Sequence, residues 1–292
     1  MTGGTNNQPT LHARTPGVPR RGLESALSLC DALAARSEAL KPAWSVSGDP
    51  VDRIVLATYA RCETTFRIVL DLVRQGDSPH GTALTRLMAE DCEVAHWLIA
   101  TRPDNVVNLA DDHSEWQNLR LLGDGDPSLV GMTPERAQAL RASFKGRPGD
   151  HWTRMGTKKR RDAILEKWPA TDSRAMTLDP LWSQGDVWAN AMLHHSPWGI
   201  DFAFSSLGTA EQPRFTTVPS WRHSGAAIRF SYLSSVLLLS LCDDEYGSSG
   251  AQTFAEFFGD AGEKLLEETE RLRLQERQRE ALLATASESN SS

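Results

Sequence analysis

The third predicted helix, Ser78 to about Ala100, carries the first set of residues whose spacing could support chemistry. At about 100° per residue, a narrow polar stripe runs along the edge of its apolar face. The stripe recurs at steps of four, three and four residues: Arg86, Glu90, Glu93 and Trp97. Two interpretations stay open: a surface pair between Arg86 and Glu90, or buried polar groups that line a cavity in a helical bundle. Asp91 falls inside the apolar face, where a carboxylate is costly unless it is paired.

The second set lies at the end of a helix predicted over Trp182 to His195. Asn190, His194 and His195 precede a turn at Ser196. A protonated histidine at a helix C-terminus is stabilised by the helix dipole, which gives a structural interpretation. The functional interpretation is a general acid or base at the mouth of a bundle.

The third set is a basic run over residues 145–161. It holds seven basic residues and one acidic residue, hence +6, whereas the whole chain carries −7. This run is either a solvated loop, a segment docked on the protein's own acids, or an attractive surface for RNA or another anionic ligand. The candidate nucleic-acid contacts are Lys158, Lys159, Arg160 and Arg161, with Trp152 available to stack on bases.

Metal chemistry has weak support in the sequence. Glu93 and His96 have the spacing of half a di-iron site, and Glu63 lies on the second predicted helix. No second Glu-x-x-His follows, and phosphate-binding, nucleophile-elbow and zinc-protease motifs are absent from the sequence. We therefore predict no metal ligands and no cofactor.

Composition limits the class of protein. The chain has 292 residues, of which 40% are hydrophobic, with 31 basic and 38 acidic residues. This balance argues against a disordered chain and against a protein that coats nucleic acid through overall charge. The N-terminus has no apolar run, and the longest uncharged apolar stretch is 13 residues (230–242), which predicts a soluble protein with no membrane partner. The four cysteines form no C-x-x-C pair, which favours reduced thiols and a cytoplasmic location.

Apolar periodicity and capping signals predict an all-α bundle of seven to nine helices. We expect a disordered N-terminus over 1–20, a helical-bundle domain over 21–250, and a C-terminal helix with a polar tail over 251–292. Within the bundle, 123–180 could be an inserted, loop-rich basic segment. The last helix is predicted to be long and exposed, and dimerisation through it stays open.

Two segments resemble a large bacterial family of uncharacterised all-helical proteins. They are ALTRLMAEDCEVAHWLIA, with its arginine-x-x-x-glutamate spacing, and VWANAMLHHSPWG, which ends a helix in histidine. That family is similar to the HEPN superfamily of helical bundles, found in toxin–antitoxin and phage-defence systems. The resemblance covers about residues 52–198 and implies Arg86, Glu90 and His195 (or His194) as site residues. HEPN nucleases carry an arginine four to six residues before the histidine, and residues 188–195 contain none.

Three functions follow. The first is a non-catalytic binding or scaffold protein built around a buried network of Arg86, Glu90 and His195. The alternative is a metal-independent endoribonuclease of toxin or defence type, with His195 as acid/base, Arg86 stabilising the phosphate charge and Glu90 orienting Arg86. The second alternative is a metal-dependent enzyme. Expected partners are RNA or another anionic ligand, a second copy of the chain, or a protein encoded elsewhere.

Overall fold

The computed structural model of the chain describes residues 20–123, 125–144, 151–170, 172–185, 223–247 and 250–289. Every regular element in these ranges is helical, so the all-α prediction is confirmed for them. The α-helices are α1 Arg20–Leu40, α2 Pro50–Gln75, α3 Ser78–Thr101, α4 Val106–Leu122, α5 Pro134–Phe144, α6 Thr157–Lys167, α7 Ser173–Pro180, α8 Ser224–Tyr246, α9 Gly250–Phe258 and α10 Asp260–Ser289. Of the predicted disordered N-terminus (1–20), only Arg20 lies in these ranges, as the first residue of α1, and the predicted helix end at 186–195 lies outside them.

Helix α2 follows its sequence signals closely. The Asp49 side chain accepts a hydrogen bond from the Val51 amide, and Pro50 takes the first helical position. The helix ends at Gly76, whose φ of +79° lies in the left-handed region that favours glycine. Apolar residues that recur along its sequence at alternating steps of four and three predict one buried face. All of them are buried: Val55, Tyr59, Cys62, Phe66, Val69 and Val73. The predicted face of α2 is therefore confirmed.

The start of α3 differs in detail from the sequence prediction. Ser78 followed by Pro79 is the pattern of an N-cap residue with proline at the first helical position, and it predicts Ser78 as the cap. Ser78 is instead the first helical residue, and its hydroxyl lies 2.8 Å from the Ser224 hydroxyl of α8. A contact between α3 and α8 thus replaces the local cap. Thr133 followed by Pro134 has the same capping pattern at the start of α5, and there the cap is confirmed. The Thr133 hydroxyl accepts a hydrogen bond from the Arg136 amide at 3.2 Å.

Helix α8 is the centre of the bundle and packs against α1, α2, α3, α9 and α10. By length and composition it could cross a membrane, but 83% of its most apolar window is buried inside the protein, as is typical of the core helix of a soluble protein. Gly225 lets α10 approach, because a Cβ there would lie 2.8 Å from the Thr269 carbonyl oxygen. The apolar composition of α8 therefore serves packing within the protein.

The C-terminal part forms two helices where one was predicted. Gly259 separates α9 from α10. Helix α10 presents an exposed surface, as predicted, and in addition buries a narrow stripe against α1 and α8 at steps of four and three residues: Leu265, Thr269 and Leu272. The predicted exposed helix is thus anchored to the bundle along one side.

A second, smaller core lies apart from the main one. Helices α4 and α5 form a hairpin that encloses its own apolar cluster: Leu119, Met132, Ala137, Leu140 and Phe144, with Trp116 against it. Helix α6 packs on α3 instead. The described helices of 123–180 therefore pack in different places: α5 on α4, α6 on α3, and α7 on α8.

Candidate functional site

A buried carboxylate on α3 binds two arginines of α6. The Glu93 side chain is only 5% exposed. Arg160 Nε donates to its Oε1 at 2.7 Å, and Arg161 Nε donates to its Oε2 at 3.1 Å. Arg160 also donates to the Met155 carbonyl oxygen at 2.6 Å, so its guanidinium is held from both sides. Each carboxylate oxygen thus has a charge-assisted bond, which offsets the cost of burying the charge.

These bonds divide the predicted basic run into two kinds of residue. Arg160, predicted as a nucleic-acid contact, is buried, because its guanidinium faces Glu93 and not solvent. Arg161 is partly exposed, and its guanidinium lies 4.8 Å from the centre of the Trp182 ring. Lys158 and Lys159 are exposed, and Lys158 pairs with Asp162 at 2.7 Å. Of the interpretations of the basic run, docking on the protein's own acids therefore applies to Arg160 and Arg161.

Glu90 is bound by the same segment, through His151. His151 Nε2 lies 3.0 Å from Glu90 Oε1, and the Thr153 amide donates to His151 Nδ1 at 3.2 Å, which places the ring proton on Nε2. The hydrogen bond from His151 lowers the pKa of the Glu90 carboxyl, and the charge of Arg86 acts in the same direction. Glu90 thus has a hydrogen-bond partner on another segment, His151, that was not predicted from the sequence.

We expect this pair to contribute modestly to stability. Because its pKa is lowered in the folded state, the Glu90 carboxylate stabilises the fold above its unfolded pKa and loses that contribution as the pH falls through the folded value. Glu90→Gln should lower the free energy of unfolding by no more than about 1 kcal/mol at pH 6, since the carboxylate is partly exposed. The free energies of unfolding of the wild type and Glu90→Gln, measured by urea titration, should converge at pH 3. A difference that is the same at pH 3 and pH 6 would contradict this role.

The fourth stripe residue, Trp97, also contacts the segment 151–161. Its ring meets Trp152 edge to face, with ring centres 6.2 Å apart. Glu90, Glu93 and Trp97 thus all contact residues 151–161. Residues 151–161 therefore pack on the polar stripe predicted along α3. This packing places Trp152 beside α2 and α4.

A groove of about 700 Å³ lies between α2 and α4. Trp152 lines it together with residues of both helices: Pro50, Arg53, Ile54, Ala57, Thr58, Arg61, Val107, Ala110 and His113. Its surface is largely apolar, with two guanidinium groups from one wall. A volume of this size is common for small-molecule sites, which measure roughly 300–1,000 Å³.

Arg61 is held at this groove by a fully buried carboxylate, Asp91. Arg61 Nε donates to Asp91 Oδ2 at 3.1 Å, and Nη2 donates to Oδ1. Burial raises the pKa of the Asp91 carboxyl, and the hydrogen bonds from Arg61 oppose that rise. The predicted need of Asp91 for a partner is confirmed. The Arg61 side chain itself is 68% exposed, and neither bond uses Nη1, so this nitrogen can bind a ligand.

The catalytic set predicted from the sequence is only partly within the described residues. Arg86 and Glu90 lie one turn apart on α3, whereas Asn190, His194 and His195 lie outside the described ranges. The residues considered for metal binding have other partners. Glu93 binds arginines, Glu63 accepts from Lys41 at 2.8 Å, and His96 Nδ1 donates to the Cys92 carbonyl oxygen at 2.7 Å. In the described ranges no three His, Cys, Asp or Glu residues are grouped to hold a metal ion.

Sequence reasoning missed His151 and Arg61 as partners of Glu90 and Asp91, and it missed Arg53 as a groove residue. For Arg160 a signal existed: Arg160, Ile164 and Trp168 recur at steps of four, and all three are buried. Comparison of the chain with protein families, curated proteins and solved structures finds no match.

Proposed function

We propose that this protein is a non-catalytic helical binding protein, and that the α2–α4 groove takes an anionic ligand with an apolar body. One observation carries the proposal: the exposed guanidinium of Arg61 is fixed by the buried Asp91 at the wall of an apolar groove. A cation that is already oriented loses little freedom on binding, which favours recognition of an anion.

The acids on α3 support binding over catalysis. Glu90 and Glu93 accept hydrogen bonds from His151, Arg160 and Arg161. An acid or base catalyst needs a pKa near the working pH, whereas the His151 bond lowers the pKa of Glu90 further from neutrality. In our proposal these groups hold residues 151–161 against α3 and so build one side of the groove.

The cysteines support a cytoplasmic location as part of the same proposal. All four thiols are buried and free: Cys30, Cys62, Cys92 and Cys242. Burial raises the pKa of each of them, so the reactive thiolate is disfavoured. Buried, reduced thiols are typical of proteins in a reducing compartment.

The groove can be tested with an apolar anionic probe, 8-anilinonaphthalene-1-sulfonate, whose fluorescence rises in apolar sites. We expect saturable binding to the wild type. Ala57→Trp should weaken it at least tenfold, because the indole fills the groove from an exposed position on α2. Ala60→Trp is the matched control, since Ala60 is also exposed on α2 but does not line the groove. Circular dichroism should show the same helix content in all three proteins.

Equal binding by both tryptophan variants, or no saturable binding by the wild type, would overturn the proposed groove function. The nuclease alternative has its own test. Metal-free cleavage of RNA by the wild type that is lost in His195→Ala, with folding intact, would replace binding by catalysis. We expect no such cleavage.

A further inference from the structure

The groove has a charge pattern that narrows the class of ligand. Arg53 and Arg61 both line it from α2. Arg53 is exposed, and its side chain makes no hydrogen bond or ion pair with any residue in the described ranges. Arg61 keeps Nη1 for a ligand, as shown above. One wall therefore offers two guanidinium groups to an anion, and guanidinium groups match phosphate oxygens in geometry and charge.

The neighbouring acids have partners of their own. Asp91 is bonded to Arg61 from behind. Asp112, on α4 beside His113, is paired with Arg136 and Arg154. With these two acids paired, the Arg53 guanidinium adds a positive charge to the α2 wall of the groove.

The spacing of the two arginines indicates a ligand larger than a bare phosphate. They are eight residues apart on one helix, a rise of about 12 Å between their backbones. Bridging them requires a molecule with an extended body. The groove supplies aromatic surface for such a body from two other elements, the half-buried rings of Trp152 and His113. Aromatic side chains beside arginines are the usual platform for a nucleobase.

We infer that the groove binds a nucleotide unit, with its phosphate on Arg53 and its sugar and base extending along the groove towards Arg61 and Trp152. The inference rests on the proposed binding function and names its ligand class. The same unit can come from a free mononucleotide or from single-stranded RNA. In both cases the chemistry of recognition is a phosphate next to a planar base.

Isothermal titration calorimetry with four probes tests the inference: adenosine 5′-monophosphate, adenosine, inorganic phosphate and a ten-residue oligoadenylate. We expect the monophosphate to bind at least tenfold more tightly than adenosine or phosphate, because only it uses both features of the groove. Arg53→Gln should weaken the monophosphate about tenfold, the typical effect of losing one charge-assisted contact. Arg74→Gln makes the same charge change on α2 about 20 Å beyond Arg61 and should leave binding unchanged.

The oligoadenylate identifies the source. Binding more than tenfold tighter than that of the monophosphate assigns the site to single-stranded RNA, whereas equal binding assigns it to a free nucleotide, and either result supports the inference. The inference is overturned if neither the monophosphate nor the oligoadenylate binds at millimolar concentration. It is also overturned if Arg53→Gln and Arg74→Gln weaken binding of the monophosphate equally. If the fluorescent probe still depends on Ala57 in that case, the nucleotide inference alone fails. If the probe does not bind either, the proposed function fails with it.

Discussion

Replacing Arg160 with methionine is expected to lower the free energy of unfolding by about 3–5 kcal/mol, the usual effect of removing one partner from a buried ion pair. The reason is that Glu93 would keep its charge in the interior with Arg161 as its remaining cation. Urea denaturation at pH 7, followed by far-UV circular dichroism, measures the change. Since domains are stabilised by only about 5–15 kcal/mol, the shift in the urea midpoint should be large.

Two further variants separate this effect from a general loss of positive charge. Lys159→Met removes the same charge from the exposed neighbour of Arg160 and should change the free energy by less than about 0.5 kcal/mol. The double variant Glu93→Leu with Arg160→Met replaces the two buried members of the network and leaves only the partly exposed Arg161 without its carboxylate. It should recover most of the stability, because an apolar pair carries no desolvation cost. Equal destabilisation by Arg160→Met and Lys159→Met would show that the buried pair is not what holds α6 to α3.

Arg61→Met should produce the second-largest loss, about 2 kcal/mol at pH 7, together with a new pH dependence. Burial already raises the pKa of Asp91, and without the hydrogen bonds from Arg61 it should rise further. Between the unfolded pKa and this raised folded pKa, the native state binds a proton that the unfolded state does not. Stability therefore increases as the pH is lowered through this window and decreases as the pH rises.

Urea titrations at pH 5 and pH 7 measure this dependence. The deficit of Arg61→Met relative to the wild type should be smaller at pH 5 than at pH 7, because a raised pKa makes Asp91 easier to protonate in the folded variant as the pH falls. Arg74→Met provides the control on the same helix, because its partners Asp31 and Asp71 are exposed. It should show a small deficit with no such recovery. A deficit of Arg61→Met that does not change between the two pH values would mean that Asp91 is not the group left uncompensated.

The elements were predictable where local physics decides them. The apolar stripe of α2 repeats at steps of four and three residues, and the signals around Asp49, Pro50 and Gly76 fix its two ends. The start of α3 at Ser78 was also found, although the role of Ser78 as a cap was wrong. That hydroxyl bonds to Ser224, 146 residues away, and such a partner leaves no trace in the local pattern.

The site was less predictable because its partners are distant along the chain. The stripe on α3 was visible, but its partners lie on a segment some 60 residues further on. Within that segment Lys158 and Arg160 are equivalent by composition, and only the turn of α6 sends one to solvent and the other to Glu93. The periodicity of α2 also predicts Arg61 on the face opposite its apolar stripe, and Arg61 is exposed there. Its bond to Asp91, 30 residues away, depends on how α2 and α3 cross.

The separate core of the α4–α5 hairpin has a thermodynamic consequence for the groove. A unit with its own apolar cluster can open without unfolding the main bundle, and such sub-global openings appear in native-state hydrogen exchange. The groove lies on the seam between that unit and α2. A ligand bound in the groove contacts both the α4–α5 hairpin and α2, so docking of the hairpin increases the affinity for the ligand. By linkage, the ligand must slow the hydrogen exchange of α4 amides by the same factor. The hydrogen-exchange rates of the α4 backbone amides thus measure the occupancy of the groove.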